Sequence, residues 1–330
     1  MTPSRRALIL LYHRVNEKGS DPWDLVVSPR HFREHLDVVW RLGRPMRLTE
    51  MVRSLRAGEE PRNGIALTFD DGYADVVENA IAPLEACDVP ATFFLTTGAI
   101  GSRHEFWWDE LERLVLQPTS VPERLTLDVD GTVQHWSLQS DQSRPAAESQ
   151  RDREWRAWLP APPTRRHAVF QDLWECCHRL PTQKRAWIID QLRKVMSHDT
   201  GARASHRLMT ADEARRIAQG DLFEIGAHSV THAALAFTSR EEQAREIHES
   251  KRWLEECLAQ AVTMFAYPYG QARHYDADTV RIVQQAGFEG ACVNVAGTVG
   301  RGTGLYELPR LFVQDWDGDE FARQLLALYG

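Results

Sequence analysis

Apolar residues along this chain fall into two alternating kinds of run. Short and nearly continuous ones cover 7–11, 65–69, 91–95, 223–226, 262–267, 289–293 and 308–313, the length and density of strands buried on both faces. Between them apolar positions recur at helical spacing. Phe32, Leu36, Val39 and Trp40 follow Ser28-Pro29, a cap with proline at the first helical position. Further helices are predicted from Thr49 to Leu55, over 74–87, 210–219, 239–260, 276–286 and 319–329, and Thr210/Glu213 and Ser239/Glu242 have capping-box spacing. Strands alternating with helices imply parallel strands and crossover helices. Roughly seven strands at this spacing suit an α/β barrel, closed or incomplete, better than a flat sheet. No G-x-G-x-x-G follows a strand, which argues against a dinucleotide cofactor.

Between 99 and 207 the alternation stops. A helix over 104–117 carries Phe106-Trp107-Trp108-Asp109. The runs 125–129 and 133–138 flank Asp130-Gly131, a two-residue hairpin signal. The polar stretch 140–153 reads as a mobile loop. Helices follow over 165–180 and 183–198, the second capped by Thr182. The expected organisation is a barrel from 1–98 and 208–330, with 99–207 inserted as a helical and hairpin subdomain. Such an insertion is a candidate lid, specificity or dimerisation element.

Composition narrows the field without naming a function. A formal net charge of −8 over 330 residues gives no electrostatic reason to expect nucleic acid as a partner. The five cysteines are an odd number without framework spacing and read as reduced thiols. Arg5-Arg6 ahead of 7–11 imitates a signal peptide, but the apolar run is short and ends in Tyr12-His13-Arg14 with no small-residue cleavage site. No run reaches membrane-spanning length. A soluble, cytoplasmic protein is expected.

The chemistry concentrates where strands end. The 65–69 strand runs into Asp70-Asp71-Gly72-Tyr73. Neighbours on an extended chain point to opposite sides, so the two aspartates can do different jobs. Side by side in a cleft, their charges call for a cation. His228 and His232, in His228-Ser229-Val230-Thr231-His232 past the 223–226 strand, are spaced to share one face of a helical turn and chelate one metal. Two histidines and a carboxylate with open positions match catalytic zinc and also non-haem iron. The iron reading ranks low, because Val230 stands where its usual carboxylate would be.

Thr68-Phe69-Asp70-Asp71-Gly72, the His228–His232 segment and Tyr267-Pro268-Tyr269-Gly270, in that order, resemble the first three motifs of the polysaccharide deacetylases (NodB-homology, carbohydrate esterase family 4). The likeness covers about 7–98 and 209–329. It implies an irregular (β/α) barrel, removal of N- or O-acetyl groups from sugars, and a divalent metal, zinc first, held by Asp71, His228 and His232. It further implies Asp70 as the base that deprotonates the nucleophilic water, and the Tyr269 backbone N–H as an oxyanion donor. Pro268 would stiffen that loop. Tyr73, Pro268 and Trp108 are the expected substrate contacts, although tryptophans beside an insertion also commonly anchor its core.

The later motifs depart from the family pattern. Phe265 stands where the third motif usually opens with arginine, no aspartates and tryptophan of a fourth motif occur in 287–299, and Leu308-Pro309-Arg310-Leu311 replaces Leu-x-x-His. No histidine lies beyond His274, which is expected on an exposed turn. Arg310 is therefore the candidate to orient Asp70. His13 is the candidate acid, because the N-terminal Tyr12-His13 resembles that of an exopolysaccharide-deacetylase branch; packing at the strand end is its other reading. The expected reaction is N-deacetylation of an acetamido sugar on a nucleotide, lipid or small-molecule carrier. Hydrolysis of another C–N bond on the same fold, or sugar binding without turnover, are the alternatives.

Overall fold

The buried apolar runs assemble into one curled parallel sheet in the structure, a computed structural model describing residues 6–118, 120–138, 152, 154–196 and 201–329. The strands are β1 (Leu8–Tyr12), β2 (Arg14–Val15), β3 (Val26–Val27), β4 (Arg44–Pro45), β5 (Gly64–Phe69) and β6 (Ala91–Leu95), followed by β7 (Arg124–Val129), β8 (Thr132–Ser137), β9 (Phe223–Ala227), β10 (Met264–Ala266), β11 (Gly290–Cys292) and β12 (Leu311–Phe312). The main sheet runs β11-β10-β9-β6-β5-β1-β12, with β4 paired to the start of β5. Leu308 bridges Cys292 of β11 while Leu311 pairs with Leu10 of β1, so one short segment spans the two edges. The result is the expected irregular (β/α) barrel.

Alternation along the strands sorts the core into two clusters. Leu8, Leu10, Ile65, Leu67 and Phe69 face outward and pack with Phe32 and Leu36 of the Pro29–Leu42 helix. Ile9, Ala66, Phe94, Met264, Ala266 and Cys292 fill the barrel interior. Space there is short: a Cβ on Gly226 would lie 2.4 Å from the Phe94 ring. Ser28, Thr210 and Asp276 cap their helices as local chemistry dictates, Thr210 in a full capping box with Glu213.

Two expectations fail for identifiable reasons. The predicted 74–87 helix is two, Asp75–Asn79 and Ile81–Ala86, because Pro83 has no N–H to give the Asn79 carbonyl. Thr49 caps nothing: the Leu48–Arg56 helix starts one residue earlier, and the Thr49 hydroxyl donates to Glu224 instead.

The chain divides into two compact units. One comprises the chain up to Lys18, Leu25–Ser102 and everything from Leu208 onward; the other joins Gly19–Asp24 to Arg103–Arg207. In the second unit, β7 and β8 pair around Asp130 (φ 54°) and Gly131 (φ 81°), the two positive φ values that a tight hairpin turn requires. Gln191, on the Thr182–Met196 helix, clamps the hairpin by bonding both the N–H and the carbonyl of Asp128. Pro22 belongs here because its carbonyl accepts from Ala157 N–H. The polar loop expected over 140–153 falls almost wholly outside the described residues. Among those described, no helix is long and apolar enough to cross a membrane.

Candidate active site

Asp70 follows β5 directly, and its N–H donates to the Tyr12 carbonyl at 3.0 Å. By strand alternation its side chain shares the interior face with Ala66 and Thr68. There it meets Arg310, whose Nη1 and Nη2 each donate to one Asp70 carboxylate oxygen at 2.7 Å. Arg310 is itself held: Nη1 donates to Thr68 Oγ1 at 3.1 Å and Nε to the Val293 carbonyl at 3.1 Å. Burial pushes the Asp70 carboxyl up, but the facing guanidinium together with His228 outweighs it and holds Asp70 below its ordinary range. Burial likewise lowers Arg310, and the Asp70 charge more than restores it. The pair is ionised and geometrically fixed.

Asp71 breaks the alternation expected of it. Its φ of 75° turns the chain back, so both carboxylates face one cavity rather than opposite sides. His228 Nε2 lies 3.5 Å and His232 Nε2 3.2 Å from Asp71 Oδ1, while His228 Nε2 is 3.8 Å from Asp70 Oδ2. One ligand atom from each of Asp71, His228 and His232 falls within 4.8 Å of the others, and all three residues are buried. His228 Nδ1 lies 2.8 Å from the Ala266 carbonyl and donates to it, which leaves the Nε2 lone pair facing Asp71. Among the described residues, Asp71 Oδ1 accepts no well-formed hydrogen bond. Ligands about 2 Å from a tetrahedral zinc sit roughly 3.3 Å apart, so this donor set fits a divalent cation. Without one, burial raises the Asp71 carboxyl but the two imidazoles hold it well below its usual range. Burial lowers His228, and the Asp70 and Asp71 charges reverse that.

The histidine pair is not on a helical turn. Ser229 (φ 61°) and His232 (φ 54°) adopt the left-handed region, and His228–His232 is a loop. Ser229 Oγ accepts the His232 N–H at 3.0 Å, while Thr97 and Gly98 N–H groups donate to the Ser229 and Val230 carbonyls. Only glycine fits at 98, since a Cβ would lie 2.6 Å from the Val230 carbonyl oxygen. Left-handed backbone at such residues costs on the order of 1–3 kcal/mol each and persists where surroundings enforce it.

The remaining candidates divide. The half-buried His13 packs on Phe312 at 5.4 Å and feels the charges of both aspartates. Burial lowers its pKa, and the carboxylates offset this only in part. Tyr269 (φ 60°) sets its ring 4.6 Å from His232 and 5.1 Å from His274. Three expectations need correction. Tyr73 has no exposed surface and lies beneath the Arg14 guanidinium at 4.6 Å, where it supports the turn instead of lining an open surface. Trp108 is 5% exposed and stacks on Phe106 at 4.3 Å, which makes it core of the second unit. His274 is 3% exposed rather than on an open turn, because its carbonyl accepts from Ala236 and its ring packs on Tyr269 and Phe237. Pro268 is buried too.

Sequence reasoning passed over two further groups. Arg14 Nε donates to Asp75 Oδ2 at 2.8 Å, tying the chain beside His13 to the turn after Asp71. Glu246, wholly buried, accepts from the His228–His232 loop. A signal for it existed: a glutamate on the buried stripe of Gln243, Ile247, Ser250 and Leu254 is out of place unless paired.

The family model for polysaccharide deacetylases matches residues 57–124 and 186–291, just over half of the chain. The chain belongs to the polysaccharide deacetylases. The match takes in Asp70, Asp71, His228, His232 and Tyr269 and leaves out His13 and Arg310. Among relatives of this deacetylase-family chain, the Bacillus subtilis (strain 168) protein YxkH is 25% identical over 105 residues, covering 32% of this chain and 36% of YxkH. The Streptococcus pyogenes deacetylase PplD, solved in complex with acetate, superposes with a TM-score of 0.59 at 17% identity, over 99% of each chain. IcaB from Ammonifex degensii does so with a TM-score of 0.59 at 16% identity, over 98% of this chain and 97% of its own. At these identities the likeness is one of fold.

Proposed function

We propose that this polysaccharide-deacetylase chain is a divalent-metal-dependent hydrolase that removes the N-acetyl group of an acetamido sugar, carried on a nucleotide, lipid or small-molecule glycan. The observation that carries the reading is the convergence of Asp71, His228 and His232 on one point, beside an Asp70 held ionised by Arg310. Family membership supplies the reaction class. The acetate in the PplD structure is the acid product such a reaction releases.

Asp71, His228 and His232 would hold the cation, zinc first. Bound there, it supplies Lewis acidity, lowering the pKa of water and polarising the acetyl carbonyl. Asp70 accepts the proton as water attacks the acetyl carbon; the Arg310 fork keeps its carboxylate oriented, and ionised at neutral pH. The Tyr269 N–H is the proposed donor to the developing oxyanion. As the C–N bond breaks, the amine nitrogen needs a proton. His13 is the proposed acid; burial lowers its pKa, so it would deliver a proton gained during the reaction rather than start charged.

The test is acetate release from a panel of acetamido sugars on nucleotide, lipid and oligosaccharide carriers. The chelated protein should be inactive and zinc should restore it, while Asp70→Asn should lower kcat by about 10²–10⁴-fold. A zinc-loaded protein that leaves every acetamido sugar intact yet cleaves a formamide or cyclic imide would sink the substrate assignment.

A further inference from the structure

We infer that Glu246 is a positioning residue that holds the two-histidine loop in its metal-ready shape and so sets the affinity of the site. The inference rests on the metal reading above and adds a determinant outside the ligand set.

Glu246 lies on the Arg240–Leu258 helix and its side chain has no exposed surface. Its carboxylate addresses a single dipeptide. Oε2 accepts the Val230 N–H at 2.9 Å and the Thr231 N–H at 2.8 Å, and Oε1 accepts the Thr231 hydroxyl at 2.9 Å. Arg245 Nη2, 3.6 Å from Oε1, lends positive charge. A carboxylate buried this completely persists only if its lone pairs are satisfied. Here the loop between the two histidines satisfies them.

The loop in turn needs an anion. Ser229 and His232 sit in left-handed backbone on either side of Val230-Thr231, with φ of 61° and 54°. Two successive N–H groups there point the same way, forming the kind of concave nest that binds anions. On the opposite side the Ser229 and Val230 carbonyls are tied to the Thr97 and Gly98 N–H groups. The carbonyl side is therefore fixed by backbone and the N–H side by one carboxylate. With Glu246 gone, two buried N–H groups lose their acceptor, and the peptide units that separate His228 from His232 are held by their carbonyls alone. The spacing of the Nε2 atoms about Asp71 Oδ1 then becomes one conformation among several. That lowers metal affinity without removing a ligand.

Zinc affinity of the full chain, stripped of metal and titrated in competition with a chromophoric chelator well below the unfolding temperature, tests this. Glu246→Ala should weaken zinc binding by about 10–100-fold, the usual effect of losing a partner behind the ligands. Glu246→Gln should recover most of it, since its amide oxygen can accept both N–H groups while its nitrogen donates to Thr231 Oγ1. Thr231→Val, which removes one of the three bonds, should fall between wild type and Glu246→Ala. If Glu246→Ala gives no folded protein, Glu246→Asp, too short to reach both N–H groups, replaces it. A wild-type chain that binds zinc while Glu246→Ala or Glu246→Asp binds it within twofold as tightly overturns the inference, even if the unfolding temperature of the metal-free form drops. A wild-type chain that binds no divalent metal refutes the metal reading itself.

Discussion

Replacing Arg310 by methionine tests the Asp70 ion pair directly. Arg310 fills a fully buried position and gives Asp70 both of its 2.7 Å bonds; methionine keeps much of the volume and none of the charge. Breaking a buried pair from one side costs about 3–5 kcal/mol, because the surviving charge keeps its desolvation penalty and loses its partner. The pH dependence has a definite sign. In the wild type Asp70 sits below its ordinary pKa, so the pair's contribution is present above the unfolded value of about 3.9 and is lost as pH falls through the folded value. Without Arg310, burial raises Asp70 against only the remaining pull of His228 and His13. The variant's penalty should therefore be largest above that raised pKa and shrink as pH falls through it. Urea unfolding of the metal-free protein at pH 7.5 and pH 5 measures this. The partner experiment is Asp70→Asn/Arg310→Met, which leaves neither position charged and should be more stable than Arg310→Met alone at pH 7.5. A cost under about 1 kcal/mol for Arg310→Met, or a double variant no more stable than it, would refute the reasoning.

Other outcomes follow from the same geometry. His13→Gln should lower kcat by about 10²–10⁴-fold while leaving zinc affinity unchanged; an equal loss of zinc binding would mean the residue is structural. Gly98→Ala forces a Cβ to 2.6 Å from the Val230 carbonyl oxygen, so unfolding titrations should show a loss of about 1–3 kcal/mol, together with weaker zinc binding. Trp108→Ala should cost about 3–5 kcal/mol in the second unit through lost packing, with KM for the acetamido substrate unchanged; a selective rise in KM would restore it as a substrate contact. Zinc at 100 times its Kd should stabilise the protein by about 2.7 kcal/mol in calorimetry, an effect absent from Asp71→Asn.

Much of the fold was legible because its signals are local. Apolar runs gave seven of the eight strands of the main sheet, missing only the two-residue β4, and Ser28, Thr210 and Asp130-Gly131 announced a cap, a capping box and a hairpin turn. Pro83 splitting a helix was just as readable and was overlooked. The donors of the candidate metal site were legible for the same reason: Asp71, His228 and His232 all stand just past strand ends, and parallel strands deliver their carboxyl ends to one rim.

Tertiary structure decided how those donors are held and which neighbours serve them. Asp71 and the histidine loop reach their geometry through left-handed backbone that no spacing rule anticipates. Arg310 and Asp70 are 240 residues apart, and only the sheet order that sets β12 beside β1, and β1 beside β5, brings a guanidinium to that carboxylate. Tyr73 and Trp108 carry the right chemistry for a sugar contact yet are buried, because burial depends on what the rest of the chain lays over a residue. Glu246 is the reverse case, a charge on an apolar helix face whose meaning appears only when the loop between two histidines is seen to need an anion. Residue type and spacing therefore determined which groups could act. The register and closure of the barrel decided which of them meet, since contact between distant residues is a property of packing and not of sequence distance.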